Sequence, residues 1–135
     1  MDPNIEKAIK QQILKSTEKL EAAKSLLREN FIDDAISRAY YSIYHAASAV
    51  LLSKGLTANT HRGLKIMFGL YFIETGEIEK EFGRVLSKLK DERENGDYDV
   101  FVQFEKEDAQ DGIKDAERFL KEMRHYLEES PGIKF

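Results

Sequence analysis

Apolar residues recur along this chain at steps of three and four, the spacing that lays a single stripe along an α-helix. Turn residues interrupt the pattern at Asn30-Phe31, Lys54-Gly55, Thr75-Gly76 and Asn95-Gly96. The first stripe runs through Ile5, Ile9, Ile13, Ser16, Leu20, Ala23 and Leu27 and predicts a helix over residues 3–29. Asp33 is placed to cap a second helix over 33–53, which Lys54-Gly55 closes with a left-handed glycine. Asn59 or Thr60 caps a third over 61–74, and a fourth runs over 78–94. Arg93, Asp97 and Tyr98 read as the cap of that fourth helix and the lock on its loop, with Gly96 supplying a positive φ. Residues 97–104 are expected to be irregular or briefly extended. The last helix, 106–129, buries Ala109, Ile113, Ala116, Leu120, Met123 and Leu127. The prolines, Pro3 and Pro131, stand at the ends, so nothing interrupts helix between them. The expected fold is an all-α helical bundle of about five helices.

Composition narrows the chemistry. A chain of 135 residues fits one domain spanning 1–135, large enough for a core without staples. It has no cysteine, which removes disulfides, thiolate catalysis and thiolate metal sites and suits a reducing cytoplasm. A net charge of −4 and a pI near 5.5 leave no overall basic field, so contact with RNA would have to be local. No apolar run reaches the length of a signal core or a membrane span, and a soluble cytoplasmic protein is expected. The glycines follow neither the Walker nor the dinucleotide pattern, and His45, His61 and His125 are scattered. Neither a metal nor a cofactor is expected.

The second helix carries the most informative segment, Arg38-Ala-Tyr-Tyr-Ser-Ile-Tyr-His45. Seven residues make almost two turns, so Arg38 and His45 fall about 20° apart around the axis. With Arg38 at zero, Ser42 stands near 40° and Tyr41 near 300°, so a cation, a phenol, a hydroxyl and an imidazole form a stripe able to hold a phosphate. Ile36, Ile43, Ala47 and Val50 occupy the opposite, core side. The small residues Ala35, Ser42 and Ala49 flank the stripe and would let a second subunit approach across a twofold axis, joining two Arg/His pairs. The plain alternative is an ion pair between Arg38 and Asp34 and a buried structural His45. Of Tyr40, Tyr41 and Tyr44, at least one is expected in the core with its hydroxyl bonded. His61 and Arg62, opening the third helix, offer a weaker anion site.

The run from Asp34 to Leu52, with Lys54-Gly-Leu, His61-Arg-Gly-Leu and Arg93-Glu-Asn-Gly-Asp-Tyr-Asp, resembles the HEPN domain (higher eukaryotes and prokaryotes nucleotide-binding) over nearly the whole chain. The resemblance implies an up-and-down helical bundle, a homodimer, and pairing with a minimal nucleotidyltransferase as toxin and antitoxin. In active members an arginine, four to six residues and a histidine form a metal-independent ribonuclease site, which Arg38 and His45 match at the upper limit of spacing. Here His45 would be the general acid or base, Arg38 would stabilise the transition state, and Tyr41 or Ser42 would orient the phosphate. Two positions depart from the family pattern. Ala39 stands where active members often carry a polar residue, and Ala47 where some toxins carry a tyrosine that the partner adenylylates. The alternative function is a noncatalytic nucleotide-binding or substrate-presenting subunit of the nucleotidyltransferase. The ligand would be RNA or a nucleotide.

Overall fold

The computed structural model describes residues 1–135 except Val102, and describes Tyr98 by its backbone alone. The described residues form five α-helices and no strand: α1 (Pro3–Arg28), α2 (Ile32–Ser53), α3 (His61–Phe68), α4 (Lys80–Tyr98) and α5 (Lys106–Glu129). A π-helical turn, Gly69–Ile73, continues α3. The all-α bundle read from the periodicity is therefore the observed one, and among the described residues no helix is long and apolar enough to cross a membrane.

The helix ends follow local chemistry. The Asp2 side chain accepts from the Asn4 N–H at 2.7 Å, and Pro3 occupies the first helical position, where a missing N–H costs nothing. Asn30, at φ 66°, turns the chain between α1 and α2. Asp33 does not cap α2. The helix begins one residue earlier, Phe31 stands at the cap position without a side-chain bond, and Asp33 and Asp34 lie in the first turn, where the helix dipole favours them. Gly55 takes the left-handed conformation expected of it, at φ 72°, and Gly76 takes it too, at φ 78°. Thr60 is the cap of α3, accepting from the Gly63 N–H at 2.9 Å.

Two elements differ from expectation. The third helix is not α-helical to residue 74 but widens into the π turn after Phe68. Leu64, Phe68 and Phe72 follow one another at steps of four and all face the core. Steps of four drift around an α-helix by about 40° each. A wider turn removes the drift and keeps Phe72 pointed inward. The fourth helix does not stop at Asn95-Gly96 but runs to Tyr98, and Gly96 has no positive φ. The missing side chain serves close packing instead, because a Cβ there would stand 3.0 Å from Cε2 of Phe104. The irregular segment thus begins at Asp99. Tyr98, read with Arg93 and Asp97 as part of the lock, has a side chain outside the described residues.

α2 is the central element. It packs along α1 and also against α5 and α4. Ile36, Ile43, Ala47 and Val50 are all buried, as are Ala109, Ile113, Ala116, Leu120, Met123 and Leu127 of α5. Phe68, Phe72, Phe82 and Phe119 join α3, the π turn, α4 and α5 in one aromatic cluster. Burying one such ring stabilises the fold by about 1.5–3 kcal/mol. This core leaves the polar arc of α2 facing the start of α3 and the end of α4.

Candidate active site

Five half-buried side chains form a continuous patch on that arc. The Arg38 guanidinium lies over the Tyr41 ring, 5.2 Å from its centroid. The Tyr41 and His61 rings are 5.8 Å apart, His61 and Tyr44 4.9 Å, and Tyr44 and His45 5.3 Å. The order around the patch is therefore Arg38, Tyr41, His61, Tyr44, His45, with four members from α2 and one from the first position of α3.

Each end of the patch is held differently. Among the described residues no carboxylate lies within 4 Å of Arg38, so the alternative pairing with Asp34 does not form. The guanidinium keeps its donors for a ligand. His45 Nδ1 stands 2.7 Å from Oε1 of Gln12 on α1. An amide oxygen only accepts, so Nδ1 carries the proton and Nε2 of the neutral ring is the free acceptor. Burial first, then Lys15 and Lys19, push the His45 pKa down to about 4, so near neutral pH the ring is an available base.

Beneath the patch lies a buried layer. Tyr40 is fully buried, and its hydroxyl sits 2.6 Å from Nδ1 of His61. Burial holds the phenol protonated, well above its usual range. Arg93 of α4, 8% exposed, places its guanidinium over both Tyr40 and Tyr41, at 5.1 and 5.4 Å from the ring centroids. Its Nη1 donates to the Tyr41 hydroxyl at 3.2 Å and to Asp97 at 3.4 Å. Arg93 is thus a strut between α4 and the tyrosines of α2, more than a helix cap.

Ser42 is not part of the patch. It is fully buried against α1, where the Ser16 hydroxyl donates to the Ser42 carbonyl oxygen at 2.7 Å and stands 3.1 Å from the Ser42 hydroxyl. Ala35 and Ala49 are likewise fully buried within this one chain. The small residues of α2 admit α1 rather than a second subunit, which corrects the reading of that stripe. The helical wheel gave their direction correctly and could not say that α1 already occupies it.

A groove of about 200 Å³ bounded by Gln12, Tyr44, Ser48, Leu52 and Leu56 adjoins the His45 end of the patch. A wider groove, about 530 Å³, lies between α1 and the start of α5, among Lys24, Arg28, Lys106 and Lys114, and shares no residue with the patch. The Arg38–His45 patch is preferred as the site because it gathers groups able to move protons and bind phosphate. Among the described residues no three His, Asp, Glu or Cys side chains converge as metal ligands would.

The family model described as the HEPN domain matches residues 9–126. The chain belongs to the HEPN family. A UPF0332 protein of Thermotoga maritima is 36% identical over 124 residues, covering 92% of this chain and 94% of its own. Two proteins of Methanocaldococcus jannaschii, both named as candidate toxins, are 38% identical over 129 residues and 31% over 127. The first alignment covers 96% of both chains, the second 94% of this chain and 86% of the relative. In this HEPN chain the two departures from the family pattern have a common structural setting: Ala39 and Ala47 are both fully buried, so both positions point into the bundle. A polar group or a tyrosine there would enter the core as it is now packed. Of the remaining site residues, Gln12 carries no sequence signal beyond a neutral polar residue beside an apolar stripe, and the partnership of His61 and Arg93 with Tyr40 and Tyr41 joins positions 21 and 52 residues apart.

Proposed function

We propose that the protein is a metal-independent endoribonuclease, the toxin component of a pair whose other member is a minimal nucleotidyltransferase, working as a cytoplasmic homodimer. One observation carries the reading: Arg38, with no carboxylate partner among the described residues, and His45, neutral and with no bond to Nε2 among them, share a face of α2 across Tyr41 and Tyr44. Membership of the HEPN family and the names of the Methanocaldococcus jannaschii relatives support the toxin role.

Without a metal, RNA is cut when its own 2′-hydroxyl attacks the adjacent phosphorus. His45 takes the 2′-hydroxyl proton on Nε2. Arg38 sets its planar fork against the phosphate oxygens as negative charge grows on them. Tyr41, steadied by the Arg93 bond to its hydroxyl, orients the phosphate. The products carry a 2′,3′-cyclic phosphate and a 5′-hydroxyl. Single substitutions test the assignment: Arg38→Ala and His45→Ala should each abolish RNA cleavage while the helical signal and melting curve stay intact. Full cleavage by either folded variant contradicts it.

A second reading, a noncatalytic subunit that binds nucleotide or presents substrate to the transferase, is favoured by Ala39, which brings no polar group beside Arg38, and by the burial of Ser42, which takes a hydroxyl out of the stripe. It predicts that calorimetry records ATP or transferase binding to wild type and to His45→Ala alike, and absence of binding to wild type excludes it.

A further inference from the structure

The reaction proposed above needs two proton transfers, one from the 2′-hydroxyl and one to the departing 5′-oxygen, while within each chain the Arg38/His45 pair supplies a single imidazole. Arginine does not release its proton near neutral pH. The second group stands on the other side of Tyr44. We propose that His61 is the proton donor of the site, giving the proton on Nε2 to the 5′-oxygen as it leaves, while Nε2 of His45 accepts the proton of the attacking 2′-hydroxyl. The inference rests on the ribonuclease reading and extends it to a residue outside the arginine–histidine motif.

Three observations carry it. The first is position: Tyr44 touches both imidazoles, with ring centroids at 4.9 Å to His61 and 5.3 Å to His45, and Tyr41 links His61 to Arg38. Tyr41 and Tyr44 thus join both imidazoles to Arg38 in one patch, with His61 between Arg38 and His45, so a phosphodiester lying along it would meet both rings. The second is the opposite bonding of the two rings. Gln12 oxygen fixes the His45 proton on Nδ1 and leaves Nε2 an acceptor, whereas the buried, protonated Tyr40 hydroxyl, with no other acceptor among the described residues, donates to Nδ1 of neutral His61 and leaves the proton on Nε2. In protonated His61 the Nδ1 proton is donated to the Tyr40 oxygen, so Nε2 bears a proton in either state. Neither Nε2 atom is among the buried polar atoms without partners, and both rings are half-buried.

The third is support. Tyr40, which holds His61, is itself pinned under the Arg93 guanidinium, and the Thr60 cap fixes the start of α3. The charged groups that face His61 are Arg93, Lys90 and Glu94 of α4; Tyr40, Tyr41 and Tyr44 of α2 complete its surroundings. Burial, then Arg93 and Lys90, lower the His61 pKa, and Glu94 opposes them. The imidazolium is a stronger acid for it, and the negative phosphodiester restores the charged form when it binds.

The proton count balances. The O2′–P bond forms as the P–O5′ bond breaks, His45 gains a proton, His61 loses one, and exchange with water returns both to their starting states.

The test compares ordinary RNA with a substrate whose bridging 5′-oxygen is replaced by sulfur, a thiolate that leaves without being protonated. His61→Gln, which keeps an acceptor for Tyr40, should cut ordinary RNA at least about a hundredfold more slowly than wild type. It should cut the sulfur substrate within a few fold of wild type. His45→Ala should lose both. Free imidazole should restore part of the ordinary cleavage to His61→Ala, which serves as the second variant. Equal loss on both substrates, or no loss on either, overturns the donor role while wild-type cleavage leaves the ribonuclease reading standing. Failure of the wild type to cut either substrate overturns that reading and this inference with it.

Discussion

His45 shows how one hydrogen bond sets the chemistry of a side chain. Its pKa falls from 6.5 to about 4 because burial and two lysines disfavour the charged ring. The unfolded chain therefore takes up this proton first as pH drops. The contribution to stability is complete above about 6.5, shrinks as pH falls toward 4, and levels off below. The urea midpoint of His45→Gln should accordingly drop less between pH 7 and pH 4.5 than that of wild type, and equal drops would contradict the buried neutral ring. Gln12→Leu should leave the Nδ1 proton unpaired, cost about 1–3 kcal/mol of stability, and give mixed His45 tautomers in nitrogen NMR spectra. An unchanged single tautomer would mean that Gln12 is not what holds it. At this scale the sequence was partly legible. The seven-residue spacing put Arg38 and His45 on one face, and the placement of Ile36, Ile43 and Val50 in the core followed from the same angles. What lies opposite a side chain is a tertiary fact: Ser42 was read toward a ligand and meets Ser16, and Tyr40 found its partner in His61 from another helix.

Among the elements, α5 shows a sequence stating its own limits, since its stripe of buried residues and its bounds were both readable. The capping box between Glu105 and Asp108 that starts it was not read, because a glutamate at the cap is an uncommon choice. The π turn was hidden because its cause, the inward aim of Phe72, is set by packing on Phe68 and Tyr126. Gly96 was misread for a related reason: glycine signals either a left-handed turn or a close approach, and only the position of Phe104 decides between them. Replacing it by leucine should overpack the contact and cost about 1–3 kcal/mol in urea unfolding. A stability gain would show that Phe104 swings aside freely. Thr60→Ala should remove the cap bond to Gly63 and cost about 1 kcal/mol, measured the same way, and an unchanged midpoint would indicate that water replaces the hydroxyl. Both substitutions bear on the site, since α3 presents His61 and the end of α4 carries Arg93 and Asp97.

Seen whole, the molecule is a helical bundle organised around α2, whose buried side belongs to α1, α4 and α5 and whose remaining arc carries the chemistry. The acidic balance of −4 is consistent with this arrangement, because the cation the patch offers to a phosphate is the half-buried Arg38 and not a basic surface. With its small residues closed by α1, α2 can meet a second copy only through the polar arc or elements beside it. The proposed homodimer should have a solution mass twice the 15.6 kDa of the chain, and a monomer at micromolar concentration would contradict it. The central claim, that Arg38 and His45 cut RNA without a metal, is tested most directly by incubating purified protein with mixed RNA in excess chelator and reading the product ends. Wild type should leave 2′,3′-cyclic phosphate and 5′-hydroxyl ends, and His45→Ala should leave the RNA whole. Intact RNA with folded wild-type protein, or equal cleavage by both proteins, would contradict the account.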